Sequence, residues 1–158
     1  MNTPRILEPR LEYAFTIELR LKPKLAVGLM TKGGDRYFVE VADGRIFGPR
    51  LQGIVLPGGG DWAFVRPDGT LDFDARYNLQ LSDGSLVCLQ NRGYRWGVPE
   101  VMARLARREP VDASDYYMRV SPIFEVAAGP HDWLMKHVFV GVGDKVPEGN
   151  LIHYHLVL

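Results

Sequence analysis

Hydrophobic and polar positions alternate along much of the chain. In Leu11 to Leu21, LEYAFTIELRL, the residues Leu11, Tyr13, Phe15, Ile17, Leu19 and Leu21 share one face, opposite Glu12, Thr16, Glu18 and Arg20. A period of two predicts a strand with one face buried. The longest such pattern is TLDFDARYNLQLS, where Leu71, Phe73, Ala75, Tyr77, Leu79 and Leu81 alternate with Asp72, Asp74, Arg76, Asn78 and Gln80. Further strands are predicted in SLVCLQNRG, DYYMRVSPIFEVA, HVFVGVG and NLIHYHLVL. Asp43-Gly44, Asp68-Gly69 and Asp83-Gly84 read as tight turns, because glycine accepts positive φ; the first is expected to join RYFVEV to ADGRIFG as a hairpin. Only VPEVMARLARREP has a helical pattern, with Pro99 in its first turn, Val101, Met102 and Leu105 on one side, and an end before Pro110. A shorter helical turn is expected over HDWLMK. The strand count predicts a mainly all-β fold, a single antiparallel β-barrel with one or two short helices covering an end, spanning 1–158 as one domain.

The run LPGGGDW at 56–62 tests two readings, a phosphate cradle or a corner. A Walker loop needs Lys and Ser or Thr before a helix, and a dinucleotide loop also opens a helix. Here a short strand and a turn follow, so the glycines are read as a bend between two strands. That places Asp61 and Trp62 at an open end of the barrel.

Composition narrows the partners. Nineteen basic residues balance nineteen acidic ones, which excludes the basic surplus of a protein held to nucleic acid by phosphate contacts. The single cysteine, Cys88, lies in an apolar run and is expected in the core. No segment is apolar enough for a secretory signal or a membrane-spanning helix, so a cytoplasmic protein with no membrane partner is expected.

The polar faces supply the candidate chemistry. Asp74 and Arg76 share one side of their strand, either as a solvated ion pair or as an interior cluster in a barrel wide enough for one ligand. YYMRVSP places Tyr117, Arg119 and Ser121 together. Arg119 could clamp a carboxylate through its planar fork, or serve as partner to an acid such as Glu125. Arg50 and Gln52, and Asn91 and Arg92 before the helix, are weaker candidates of the same kind. His153 and His155 project from one face of the last strand, but zinc would need a third ligand and no HExxH or CxxC spacing supplies one, so no metal and no cofactor are expected. No GxSxG context supports a catalytic triad, and Arg104, Arg107 and Arg108 read as a solvated helix face.

The blocks FGPRLQGIVLPGGGDW, LDFDARYNLQLSDGSLVCLQNRG, YYMRVSPIFE and VFVGVG, in that order over nearly the full length, resemble the domain of unknown function family 3237, also called uncharacterised protein family 0311. The resemblance implies a compact antiparallel β-barrel. It also implies recurrent polar positions at Arg50, Asp61, Trp62, Asp74, Arg76, Tyr77, Asn91, Arg92, Tyr117 and Arg119, and, through fungal relatives, cofactor-free cyclisation or addition chemistry. Where members commonly have Trp-Leu-Asn, this chain has Trp133-Leu134-Met135.

Two functions follow as expectations. In the first, a cofactor-independent lyase, isomerase or cyclase acts on a small carbonyl or carboxylate compound. Asp74 is its acid or base, Arg76 and Arg119 stabilise negative charge, and Tyr117 donates a proton. Arg50, Asp61, Trp62, Asn91, Arg92 and Trp133 bind the ligand. In the second, the same barrel holds a small acidic or aromatic metabolite without transforming it. Both expect an anionic small-molecule partner, and a homodimer formed through IHYHLVL.

Overall fold

The computed structural model describes residues 3–158. Ten strands form one antiparallel sheet: β1 (Leu11–Leu21), β2 (Leu25–Leu29), β3 (Asp35–Phe47), β4 (Gly53–Val55), β5 (Gly60–Val65), β6 (Leu71–Leu81), β7 (Leu86–Trp96), β8 (Tyr117–Val126), β9 (Phe139–Val146) and β10 (Gly149–Val157). Pairing of β1 with β3 closes the sheet on itself, giving an eight-stranded barrel. The number is eight because β4 and β5 both lie between β3 and β6 and act as one interrupted wall strand, while β2 pairs only with the early part of β3, on the edge that β1 uses further along. Helix α1 (Pro99–Ala106) connects β7 to β8, and a 3-10 turn at Asp132–Met135 precedes β9.

The glycine run is the interruption between β4 and β5. Val55 pairs with Leu79 and Gly60 with Arg76, so this strand advances five residues while β6 advances three. The surplus bulges outward, the usual device for bending a barrel wall. A Cβ on Gly59 would overlap the Arg76 carbonyl oxygen, and one on Gly60 would overlap the Phe38 ring. The expected bend is present, but inside one wall strand rather than between two.

Three expectations require correction. Asp43-Gly44 is no hairpin: β3 runs straight through it. Gly44 is needed there because β1 approaches so closely that a Cβ would overlap the Glu18 carbonyl, and the Asp43 carboxylate is taken by Arg20. Cys88 is exposed, because Val87 and Leu89 occupy the inward positions on either side of it. The closing strand β10 is paired with β1 on one side and β9 on the other. β2 has an unpaired edge, and its Leu25, Val27 and Leu29 are exposed. In β1, a register shift between Tyr13 and Phe15 turns Ala14 inward and leaves Leu11 and Tyr13 exposed, so only the later half of that strand keeps the predicted face.

The barrel is packed in one half only. At the end where Leu11 meets Val157, Phe15, Phe124, Phe139 and Tyr154 pack edge-on or tilted, with Phe124 and Phe139 centred 5.1 Å apart. Leu134 and Trp133 of the 3-10 turn close that end. Each fully buried aromatic or aliphatic side chain contributes roughly 1.5–3 kcal/mol, so this half anchors the fold. The other half is left hollow.

Candidate functional site

The hollow half encloses a cavity of about 620 Å³. It opens where Leu21, Lys22 and Lys24 leave β1, beside Pro147 and Glu148 of the β9–β10 turn and the end of α1 at Leu105 and Ala106. Its walls are mostly apolar: Leu19, Val39, Val41, Leu71, Phe73, Met118, Val120 and Ile152. A few polar groups enter among them, the usual make-up of a small-molecule site.

Two opposite charges face this space. Asp61 enters from β5, and burial pushes its carboxyl up to about 6, although the backbone N–H of Asp74 donates to its Oδ1 at 2.8 Å. Arg95 enters from β7 near the mouth, and burial lowers its pKa from the usual guanidinium value, opposed by the nearby Tyr37, Tyr116 and Asp61. A guanidinium keeps its charge at neutral pH regardless. Its Nε has no hydrogen-bond partner, and among the described residues neither Arg95 nor Asp61 is within ion-pairing distance of an opposite charge. Lys145 lines the same space. Burial, aided by Arg95 and Arg108, lowers its ammonium to about 8, while Nζ donates to the Gly149 carbonyl at 2.8 Å. Arg95 and Lys145 against Asp61 leave the interior with a positive surplus.

The cavity floor is polar. Asn91 Nδ2 donates to the Tyr154 hydroxyl at 2.8 Å, and Tyr77 stands beside both. Burial raises the pKa of both phenols, so they stay neutral. The profile of the family described as "Protein of unknown function (DUF3237)" matches residues 9–157. The chain belongs to this family. A UPF0311 protein of Clostridium acetobutylicum is 32% identical over 157 residues, covering 99% of each chain. The crystal structure of a conserved protein of unknown function from Rhodopseudomonas palustris covers 98% of this chain and 100% of its own, at 30% identity and a TM-score of 0.90. An enzyme from Penicillium herquei shares the barrel at 22% identity and a TM-score of 0.76, covering 99% and 100%; at that identity the likeness concerns the fold alone.

In this DUF3237 member the residues singled out from sequence divide by parity. Asp61 and Asn91 line the cavity. Asp74, Arg76, Tyr117 and Arg119 do not: Leu71, Phe73, Ala75 and Tyr77 on β6, and Met118 and Val120 on β8, take the inward positions and force their neighbours outward. The interior cluster expected at these four positions is therefore an outer-surface one. Asp74 accepts from Gln90 at 3.4 Å, Tyr117 stacks on Trp96 at 5.4 Å, and Arg119 lies over Tyr117. Arg92 is exposed on the same outer face. Trp62 also points outward, against Phe38 at 4.9 Å, because adjacent residues of a strand cannot share a face with Asp61. Arg50 lies 4.4 Å above the Trp133 ring and near Glu12, at the packed end away from the mouth.

Sequence reasoning missed Arg95, Lys145 and Tyr37. Arg95 was legible by parity: Val87, Leu89, Asn91, Gly93 and Arg95 form one face once β7 is extended to Trp96. Among the described residues no group of His, Cys, Asp and Glu converges in a way that would hold a metal ion, and His153 Nδ1 bonds instead to Thr16 Oγ1 at 2.7 Å. No helix among them is long and apolar enough to cross a membrane.

Proposed function

We propose that the cavity binds a small organic anion or carbonyl compound and transfers a proton on it without a cofactor, with Asp61 as base and Arg95 as partner of the developing negative oxygen. The supporting observation is that an acid and a guanidinium face one enclosed, largely apolar space without neutralising each other. A carboxyl with a pKa of about 6 is mostly ionised at neutral pH, yet basic enough to take a proton. In the simplest step, the C–H bond next to a carbonyl breaks. The proton goes to an Asp61 oxygen, the electron pair passes to the carbonyl oxygen, and Arg95 stabilises the enolate until the proton is returned.

Solvent-deuterium exchange tests the reading. Small 2-oxo acids and aryl ketones incubated with the protein in D2O should exchange their α-hydrogens, followed by NMR. A positioned acid–base group contributes on the order of 10²–10⁴ in rate, so Asp61→Asn should abolish most exchange while leaving ligand-induced thermal stabilisation in place. Stabilisation without exchange in the native protein would leave a binding protein and remove the reaction.

A further inference from the structure

We infer that the floor formed by Tyr77 and Asn91 is a hydroxyl-selecting subsite, so that the ligand carries a hydroxyl at its buried end and its anionic group toward Arg95. This rests on the cavity being a ligand site, as proposed above. Tyr77 and Asn91 are each only 3% exposed and both line the cavity. Asn91 spends its amide N–H on Tyr154, and its Oδ1 accepts from no group among the described residues. The Tyr77 hydroxyl has no partner at strict hydrogen-bonding geometry among the described residues; Tyr154 and Asn91 lie near enough to donate weakly to its oxygen, which leaves its own proton without an acceptor. A buried acceptor and a buried donor, both unused and side by side, are costly unless something enters to satisfy them. One hydroxyl does both: it donates to Asn91 Oδ1 and accepts from Tyr77. An ether or ketone oxygen could accept from Tyr77 but would leave Asn91 Oδ1 unmet, and a C–H would leave both unmet.

The two poles also set a length. Asn91 and Arg95 are four residues apart on β7, about 13 Å along the strand before their side chains lean toward each other. A flat two-ring acid spans most of that interval, and the apolar walls between suit its rings.

The test compares 6-hydroxy-2-naphthoate, 6-methoxy-2-naphthoate and 2-naphthoate by calorimetry on the native protein. A site built to bind a hydroxyl rejects analogues without it strongly, so the hydroxy acid should bind at least ten-fold tighter than either of the others. Tyr77→Phe removes one oxygen and nothing else, and should collapse that preference, read as the ratio of the affinities, to within about three-fold. Asn91→Leu should do the same if it folds; Tyr77→Phe decides the matter if it does not. Equal affinity for the three acids, or a preference that survives Tyr77→Phe, would show a floor satisfied by ordered water and overturn the subsite while sparing the cavity. Failure of all three acids to bind, in native protein and in Arg95→Met alike, would overturn the cavity reading and the subsite with it.

Discussion

Asp61 and Asn91 stand in one cross-strand row of the barrel with Ala75 between them. Neighbouring strands are about 4.8 Å apart, so the two backbones are roughly 10 Å apart, and the methyl group of Ala75 leaves the interval open. Filling it should block the site without harming the fold. Ala75→Leu is expected to weaken binding of 2-naphthoate at least ten-fold, with a melting temperature equal to or above that of the native protein. Calorimetry and thermal denaturation of the one variant check both halves.

Asp61 should make stability depend on pH. Its carboxyl titrates near 6 in the folded protein against 3.8 for the free group, so the folded state holds the proton more tightly. Relative to an uncharged side chain, the acid therefore costs nothing below about pH 4, and its penalty grows as pH rises through 6. At 1.36 kcal/mol per pKa unit the full penalty is about 3 kcal/mol. Asp61→Asn is expected to be more stable than the native protein at pH 8 by up to that amount, with the gain disappearing toward pH 4. Denaturant titrations at both pH values measure it.

Arg95 carries its charge in a largely enclosed place with no ion-pair partner among the described residues. Removing such a group relieves desolvation, so Arg95→Met should fold and melt at or above the native temperature. It should also lose the preference for acids over neutral analogues of the same shape. A thermal-shift comparison of 2-naphthoate with 2-naphthamide reads that preference; its survival in the variant would assign anion binding to Lys145 instead.

The outward cluster should be silent in the cavity. Arg119→Met and Asp74→Asn alter side chains separated from the interior by the barrel wall, and affinity for 2-naphthoate should stay within two-fold of native. A larger loss, measured by calorimetry, would return these residues to the ligand site.

The glycines of the β4–β5 bulge should differ sharply from one another. Gly58 has φ +104° with open space around it, so Gly58→Ala costs only backbone strain, about 1–2 kcal/mol. Gly59 faces backbone that cannot give way, so Gly59→Ala adds overpacking, typically 1–3 kcal/mol or more, and should be clearly the less stable of the two in urea titration.

Much of the barrel could be read from the chain because alternation is a local property. The β6 pattern from Leu71 to Leu81 is a full strand with its apolar face inward, and the Asp68-Gly69 and Asp83-Gly84 turns stand where the glycines require positive φ, at +87° and +88°. The same parity already implied that Asp74 and Arg76 point away from that apolar face. Asp43-Gly44 misled because the pair has two uses, a turn or a close approach between strands, and only the neighbouring β1 distinguishes them.

The sequence by itself determined that strands of period two would close over one apolar face, since burying that face is worth more than any alternative the pattern allows. Its match to the DUF3237 family is also carried by residue order alone. The tertiary structure decided where the interior is filled and where it is hollow. Phe15, Phe124, Phe139 and Tyr154 meet from four strands to pack one half, so inward polar residues of the other half, Asp61, Asn91 and Arg95, face space instead of hydrocarbon. Those encounters join residues as far apart as Phe15 and Tyr154, and their level along the barrel is set by strand stagger at closure, which no local pattern encodes.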